Sequence, residues 1–270
     1  MKKNLYWLAS YPKSGNTWFR IFLSHYLTNN ENIDHLSHLG VMASSMTIIK
    51  RYNKNYKRYL DYEDFYSMRR ESYIEFNRIS NIKNEIKYNK IHDAYDFIIP
   101  EEVSGGIIYF IRNPFDVCVS FSNHMGFTND KSIDKMNDDD FFIGGVKKQL
   151  KQNLLSWSNH IKSWTEQDKI PIHIIKYEDM LTNTFNVFSD AIKFLNIEYD
   201  EDRIKKSIEF TQFENLKKIE KEKGFKETPK KSDGFFKTGK SNYGKDILTY
   251  KQKEILIKNH KEIMIKYNYL

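Results

Sequence analysis

Residues 5–27 read LYWLASYPKSGNTWFRIFLSHYL, and this stretch decides the fold. The apolar run 5–9 predicts a strand, and the amphipathic run 19–27 predicts a helix. The segment between them is then a tight loop feeding a helix N-terminus, where free N–H groups and the helix dipole favour an anionic group. Lys13 adds a mobile cation to this loop. Neutral hydrogen-bond donors come from Ser14, Asn16 and Thr17.

A second strand–helix junction is predicted near the middle of the chain. Residues 107–111 read IIYFI, a continuous apolar run that is typical of a buried parallel strand. Arg112 follows at once, and the next residues, Asn113 and Pro114, suit the N-cap and first position of a helix. At both junctions, therefore, a predicted strand is followed by a cationic residue and then by the start of a helix.

The rest of the chain continues this alternation. A third strand is predicted within 171–176, and amphipathic helices are predicted over 50–90, 150–164, 185–195 and 250–267. Residues 128–142 are rich in Asn and Asp and predict a loop. Strands that alternate with helices indicate an α/β fold with a mostly parallel sheet covered on both faces. Ligands of such sheets bind beyond the carboxyl ends of the strands.

Composition sets further bounds. A net charge of +7 over 270 residues suits an anionic partner, although lysines that merely keep the protein soluble explain the charge more simply. Cys118 is the only cysteine, so an intrachain disulfide and a cysteine-rich zinc site are excluded. No carboxylate cluster has a convincing metal spacing. The apolar run after Met1 is too short for a signal peptide, and no run is long enough to span a membrane, so a cytoplasmic location is expected.

The loop of residues 11–18 is not a Walker motif, because Lys13 precedes Ser-Gly and no earlier glycine opens the loop. It resembles the 5′-phosphosulfate loop YPKSGTTW of the sulfotransferases that use 3′-phosphoadenosine 5′-phosphosulfate (PAPS), with Asn16 as the one difference. The segment from Arg112 to Ser120 resembles the 3′-phosphate motif of the same family. The resemblance implies a three-layer, P-loop-like fold whose central sheet has about five strands, in a single domain over 1–270.

Weaker matches extend the resemblance along the chain. Residues 235–245 resemble the family's C-terminal phosphate segment, but Lys237 stands where the family has Arg and Thr238 where it has Lys. The triplet from Lys90 to His92 resembles Lys-Thr-His, with an isoleucine in place of the threonine. His160 lies beside a packing stripe and is assigned to structure, whereas His124 is left unassigned.

The resemblance implies a role for each matched residue. His92 is the expected general base, since imidazole titrates near neutrality, and the expected catalytic cations are Lys13 and Lys90. No metal is expected. The residues expected to bind PAPS, or its product adenosine 3′,5′-bisphosphate (PAP), are Lys13, Ser14, Gly15, Asn16, Thr17, Trp18, Arg112, Ser120, Tyr177, Thr211, Phe213, Phe235, Lys237, Thr238 and Gly239.

The predicted reaction is sulfuryl transfer from PAPS to a hydroxyl or amine of a small-molecule acceptor. A P-loop nucleotide phosphotransferase and a non-catalytic nucleotide-binding module are the alternatives. Lys and Tyr interleaved over 52–66 suit single-stranded nucleic acid, but no nucleic-acid motif accompanies them, so neither nucleic acid nor a membrane is the expected partner. The acceptor pocket is expected within 30–70, 124–145 and 218–234. Acidic residues in 130–140 either steer a cationic acceptor or, the simpler reading, form a solvated loop.

Overall fold

A computed structural model of the protein describes residues 2–40, 62–144, 151–228 and 234–270. The strands are β1 (Leu5–Ser10), β2 (Lys87–Ile91), β3 (Ser104–Ile111), β4 (Phe142–Ile143), β5 (Gln152–Asn153) and β6 (Ile172–Lys176). The helices are α1 (Asn16–Thr28), α2 (Tyr62–Ile82), α3 (Pro114–Met125), α4 (Asn129–Asn137), α5 (Trp157–Thr165), α6 (Tyr177–Thr182), α7 (Thr184–Phe194), α8 (Glu201–Phe210), α9 (Phe213–Lys223), α10 (Gly244–Ile247) and α11 (Tyr250–Lys266).

The central sheet is parallel throughout. Its strand order is β2-β1-β3-β6, and β4 and β5 form a separate antiparallel pair. The predicted α/β fold with a parallel sheet is confirmed. About five strands were expected, and the described residues contribute four to this sheet.

Side chains of β1 alternate between two apolar cores, which makes the fold three-layered. Leu5, Trp7 and Ala9 pack on one face, whereas Tyr6 and Leu8 pack on the other. The first face is covered by α3, α5 and α11, and the second by α1 and α7. The strands are buried on both faces, which explains their nearly continuous apolar sequences.

Two local predictions are wrong. Residues 128–142 were expected to form a loop, but α4 lies within them because Thr128 caps it, accepting a hydrogen bond from the Lys131 amide (3.2 Å). The helix predicted over 150–164 begins only at Trp157. Leu155 has a left-handed φ of 59°, which breaks the helical run, and Ser156 supplies the N-cap. Leu150 lies outside the described residues.

A further prediction, that of helices over 50–90, is wrong at its end. Tyr62–Ile82 is helical, but residues 87–91 form strand β2, whose sequence KYNKI is too polar to resemble a buried strand. Residues 50–61 lie outside the described residues. Strand β2 lies at the edge of the sheet, beside β1. Because β1, β2 and β3 run parallel, their carboxyl ends meet at one edge of the sheet. That edge therefore brings together the loop after β1, His92 after β2 and Arg112 after β3. In the described part of the chain, no helix has both the length and the apolar character needed to cross a membrane.

Candidate active site

A cavity of about 1070 Å³ opens at this edge of the sheet. It brings together nearly all of the residues expected at the site. Those that line it are Lys13, Gly15, Asn16, Thr17, Trp18, Lys90, His92, Arg112, Ser120, Tyr177, Thr211, Phe213, Phe235, Lys237, Thr238 and Gly239. Ser14 is buried and is not part of the lining.

The loop after β1 is built tightly around its glycine. Gly15 caps α1 with a φ of 99°, and a Cβ there would lie 2.8 Å from Cδ2 of Tyr177. No side chain caps this helix, so its first N–H groups are available to a ligand. Lys13 has a left-handed φ of 71°, and its Nζ lies 4.1 Å from the ring centre of Phe235. The loop therefore presents backbone donors and one ammonium group to the cavity.

The side chains of Asn16 and Thr17 are not free donors. Asn16 donates to the Leu8 carbonyl (2.7 Å) and accepts from Nε of Arg20 (2.9 Å), so it fastens the loop to β1. Thr17 Oγ1 donates to Glu227 (3.2 Å) and accepts from Arg20 (3.0 Å). What Asn16 can offer a ligand is consequently its backbone N–H at the helix N-terminus.

Arg112 joins the two junctions directly. Its guanidinium donates to the carbonyl of Lys13 (3.1 Å) and to that of Lys240 (2.9 Å), and it lies 3.9 Å over the Tyr177 ring. Its Nε is buried and has no hydrogen-bond partner among the described residues. Asp116, at 3.7 Å, is a longer contact. The cation expected to bind phosphate is therefore oriented by carbonyls and an aromatic face.

The carboxylate of Asp116 holds the C-terminal segment in place. It accepts hydrogen bonds from the amides of Asn242 and Gly244, both at 2.8 Å. Asn113 caps α3 as predicted, with its side chain accepting from the Phe115 amide (3.0 Å). One acidic residue in the first turn of α3 thus brings the segment of 234–245 over the second junction.

The C-terminal segment closes one side of the cavity. Gly239 has a φ of 60°, and a Cβ there would lie 2.3 Å from Cδ2 of Phe213. The hydroxyl of Thr211, at the end of α8, donates back to the carbonyl of Ser207 (2.8 Å), so its proton is already engaged. Trp18 lies edge-on to Tyr177, and its buried Nε1 has no partner in the part of the chain that the structure describes.

Hydrogen bonds hold His92 through its backbone carbonyl and through one ring nitrogen. Nδ1 lies 2.8 Å from the carbonyl of Ser10, which can only accept, so Nδ1 carries the proton and Nε2 is the basic nitrogen. Burial and the nearby Lys90 hold the pKa of His92 well below its usual value, which keeps the ring neutral. His160 Nε2 donates to the His92 carbonyl (3.0 Å), and Tyr109 bonds to His160 Nδ1 (2.8 Å). His160 therefore has the structural position that its sequence context indicated.

Two lysines of the cavity, Lys13 and Lys90, are unusually easy to deprotonate. Burial, with Lys90 and Arg112 nearby, lowers the pKa of Lys13 to about 7. Burial and the positive charge of Arg20 lower the pKa of Lys90 to about 8. Crowded cations destabilise one another, and an anionic ligand reduces that repulsion. The cavity is accordingly suited to a multiply charged anion.

Among the charged and titratable residues of the cavity, Arg20 was not predicted, whereas His124 and Glu227 lie in ranges where the acceptor pocket was expected but had been given no role. Arg20 and Glu227 form a bidentate pair at 2.8 and 2.9 Å across 207 residues of sequence. The spacing of Arg20, three residues after Thr17 on a helix, is the one signal that could have indicated it. His124 lines the cavity edge-on to Phe235, and burial together with Lys13 lowers its pKa to about 4.

The acidic segment is engaged elsewhere. Asp138 pairs with Lys135 (3.1 Å), and Asp139 accepts from Asn159 (2.7 Å). Neither residue lines the cavity described above. Within the described residues, no group of three or more His, Cys, Asp or Glu side chains is arranged to hold a metal ion.

Comparison with known proteins identifies the family. The model of the sulfotransferase domain matches residues 3–267. The chain belongs to the sulfotransferase domain family. The resemblance found in the loop after β1 and in the Arg112 junction is thereby confirmed at the level of the family.

Curated relatives within this family are distant. Luciferin sulfotransferase of Photinus pyralis is 25% identical over 221 residues, which cover 78% of this chain and 56% of the relative. Cytosolic sulfotransferase 14 of Arabidopsis thaliana is 22% identical over 226 residues, which cover 81% of this chain and 62% of the relative. The chain thus spans less than two thirds of the length of either sulfotransferase.

Solved structures of the family share the fold. Retinol dehydratase, crystallised in a complex with retinol and PAP, matches with a TM-score of 0.65 at 17% identity and covers 98% of this chain and 82% of that one. A mouse sulfotransferase complexed with PAP matches with a TM-score of 0.57 at 17% identity and covers 96% of this chain and 85% of that one. Both support the three-layer α/β sulfotransferase fold for this chain.

Proposed function

We propose that this protein transfers the sulfuryl group of PAPS to a hydroxyl or amine of a small-molecule acceptor. The observation that carries the proposal is the contact of the two junctions. Arg112 donates to the Lys13 carbonyl (3.1 Å), so a guanidinium and an ammonium border one cavity, which His92 also lines. Small-molecule names among the related proteins, such as luciferin and retinol, support an acceptor of that class.

Buried hydrogen-bond donors in the cavity support the binding of an anionic nucleotide, independently of the family resemblance. Trp18 Nε1 and Arg112 Nε belong to residues that line the cavity, and both atoms are buried and have no partner among the described residues. Buried donors are usually satisfied, and a donor left without a partner costs about 1–3 kcal/mol. Two such donors, one on α1 and one after β3, support a ligand rich in acceptor oxygens and ring nitrogens.

We assign the ends of the donor by the family resemblance. The N–H groups at the start of α1, with Lys13, would hold the 5′ end, whereas Arg112, Ser120, Lys237 and the Gly239 amide would hold the 3′-phosphate. The adenine would lie among Trp18, Tyr177, Thr211 and Phe213. When bound, PAPS supplies a sulfuryl group attached to a phosphate leaving group.

The chain's own residues would then supply proton transfer and charge stabilisation. Nε2 of His92 carries the lone pair and would accept the proton of the acceptor's hydroxyl or amine as that atom attacks. The ammonium of Lys13 would offset negative charge on the leaving phosphate, and that of Lys90 would face the transferred group. A cytoplasmic location stays a prediction.

The test is a PAPS-dependent assay against a panel of hydroxyl and amine metabolites, read by a mass shift. His92→Ala should reduce turnover by about 10²–10⁴ while PAP affinity is kept, because the ring moves a proton and holds no phosphate. His173→Ala is the matched control, since His173 lies on β6 outside the cavity lining. Lys13→Ala should weaken both transfer and PAP binding. Equal turnover in the His92 variant and its control would refute the proposed role of His92 as the general base.

The same assay separates the alternatives. PAP binding without Mg²⁺ but no transfer to any acceptor would support the non-catalytic module. Mg²⁺-dependent binding of ATP in preference to PAP would support a phosphotransferase. Absence of PAP binding would refute the proposed function.

A further inference from the structure

A carboxylate lies among the cations of the cavity, and the proposed reaction gives it no role. Glu227 follows α9 and reaches the first turn of α1. Its two oxygens accept from the guanidinium of Arg20 at 2.9 and 2.8 Å, and Oε2 also accepts from Thr17 Oγ1 (3.2 Å) and Lys90 Nζ (3.4 Å). Its side chain is 18% exposed, against 3% for Arg20 and 14% for Lys90. A single carboxylate therefore contacts two elements that border the cavity, α1 and β2.

Glu227 stays ionised in this setting. Burial alone would raise its pKa, but Arg20 and Lys90 hold the pKa of this carboxyl far below its ordinary value. Its negative charge in turn favours the protonated forms of Lys90 and Lys13. Charge repulsion from Glu227 works against an anionic donor, so a role other than direct contact with phosphate has to account for it.

The hydrogen bonds of Glu227 indicate that it positions neighbouring residues. Through Arg20 and Asn16 it is linked to the loop after β1, because Arg20 Nε donates to Asn16 (2.9 Å). Through Lys90 it is linked to β2, two residues before His92. The ammonium of Lys90 is thereby held by a carboxylate that also contacts the first turn of α1. Bidentate pairs of Arg with a carboxylate are geometrically specific, which suits such a role.

We propose that Glu227 is a positioning residue of the transfer reaction, which fixes the Lys90 ammonium and the first turn of α1 against each other; this rests on the proposed function. The carboxylate acts through Lys90 and Arg20 and does not contact the donor. It keeps Lys90 charged in the pH range where crowding by other cations would otherwise discharge it. The charged and titratable groups that face Lys90 are Lys13, Arg20, His92, His124 and Glu227.

The experiment is a calorimetric titration of the full chain with PAP between pH 6.5 and 9.5, for the wild type, Glu227→Gln and Glu227→Asp. Affinity in the wild type should fall as pH rises through the lysine pKa values. In Glu227→Gln the midpoint of this fall should move about one pH unit lower, because Lys90 loses its counter-charge. At pH 6.5, where Lys90 stays protonated, the affinity should be equal to or up to about tenfold tighter than in the wild type. Glu227→Asp keeps the charge and should restore at least half of the shift.

Glu220 provides a matched control from the same region. It accepts from the amides of Phe235 (2.6 Å) and Phe236 (3.0 Å), so it anchors the neighbouring segment without lining the cavity. Glu220→Gln should change affinity by the same factor at every pH and leave the midpoint unmoved. An unmoved midpoint in Glu227→Gln, with a uniform loss of affinity like that of the control, would overturn the positioning role. Failure of the wild type to bind PAP at any pH would instead refute the proposed function itself.

Discussion

Binding of PAP should be coupled to proton uptake, and Lys13 should be the main site of that uptake. With a pKa of about 7, Lys13 is roughly one-tenth protonated at pH 8 in the ligand-free protein, and Lys90, with a pKa of about 8, is about half protonated. Phosphate groups raise the pKa of both amines, because an opposite charge favours the protonated form. The bound state therefore holds two ammonium groups.

The size of the effect follows from these pKa values. At pH 8 Lys13 should take up about 0.8–0.9 proton and Lys90 about 0.5, so the total is about 1.3 protons per PAP. The phosphates of PAP contribute little, since their second pKa is about 6. At pH 6.5 the uptake by the lysines should fall to about 0.3, because both are then largely protonated before binding.

Calorimetry measures this number directly. PAP is titrated at pH 8 in HEPES and in Tris, whose ionisation enthalpies differ, and the slope of apparent enthalpy against ionisation enthalpy gives the protons taken up. Lys13→Met should leave only the uptake by Lys90, about 0.5. Lys83→Met makes the same charge change at an exposed position beyond α2 and should keep the wild-type value. Uptake below about 0.3 in the wild type, or equal uptake in Lys13→Met, would refute the assignment of a depressed lysine pKa to this loop.

Two further predictions concern packing and burial. Gly239→Ala should weaken PAP binding at least tenfold by calorimetry, because its Cβ would lie 2.3 Å from Phe213. Gly224→Ala, at a position that has a φ of 77°, has nothing within 4 Å and does not line the cavity, controls for backbone strain and should leave PAP affinity unchanged. Arg69→Met should lower the free energy of unfolding by about 3–5 kcal/mol in urea, because it leaves the Asp93 carboxylate, bonded at 2.7 Å and fully buried, without its counter-charge. A loss under about 1 kcal/mol would contradict the buried-pair reasoning.

The two strand–helix junctions could be predicted because each is written in one continuous stretch of sequence. An apolar strand, a cation and a capped helix follow one another within about twenty residues, so local chemistry identified them. β2 escaped detection because an edge strand tolerates polar residues that a buried strand excludes. α4 escaped because its apolar side is narrow: only Ile133 and Met136 are its buried apolar residues.

For the site as well, residues within short motifs could be predicted, whereas contacts between residues far apart in the sequence could not. The resemblance supplied the residues that border the cavity, since each belongs to a short motif. Glu227 could not be found in that way, because its partner Arg20 lies 207 residues away and neither residue is unusual in its own neighbourhood. Likewise, the engagement of Asn16 by the Leu8 carbonyl depends on how the loop folds back on β1.

The contacts of Arg112 have a consequence for the order in which the protein matures. The carbonyls that this guanidinium binds belong to Lys13 and Lys240, which are 99 and 128 residues away in the chain. Lys240 follows every strand of the central sheet in the sequence, the last of which is β6 (Ile172–Lys176). The cavity therefore gains this wall only after the strands of the sheet have been synthesised, and a nascent chain should acquire its sheet before it acquires affinity for a ligand.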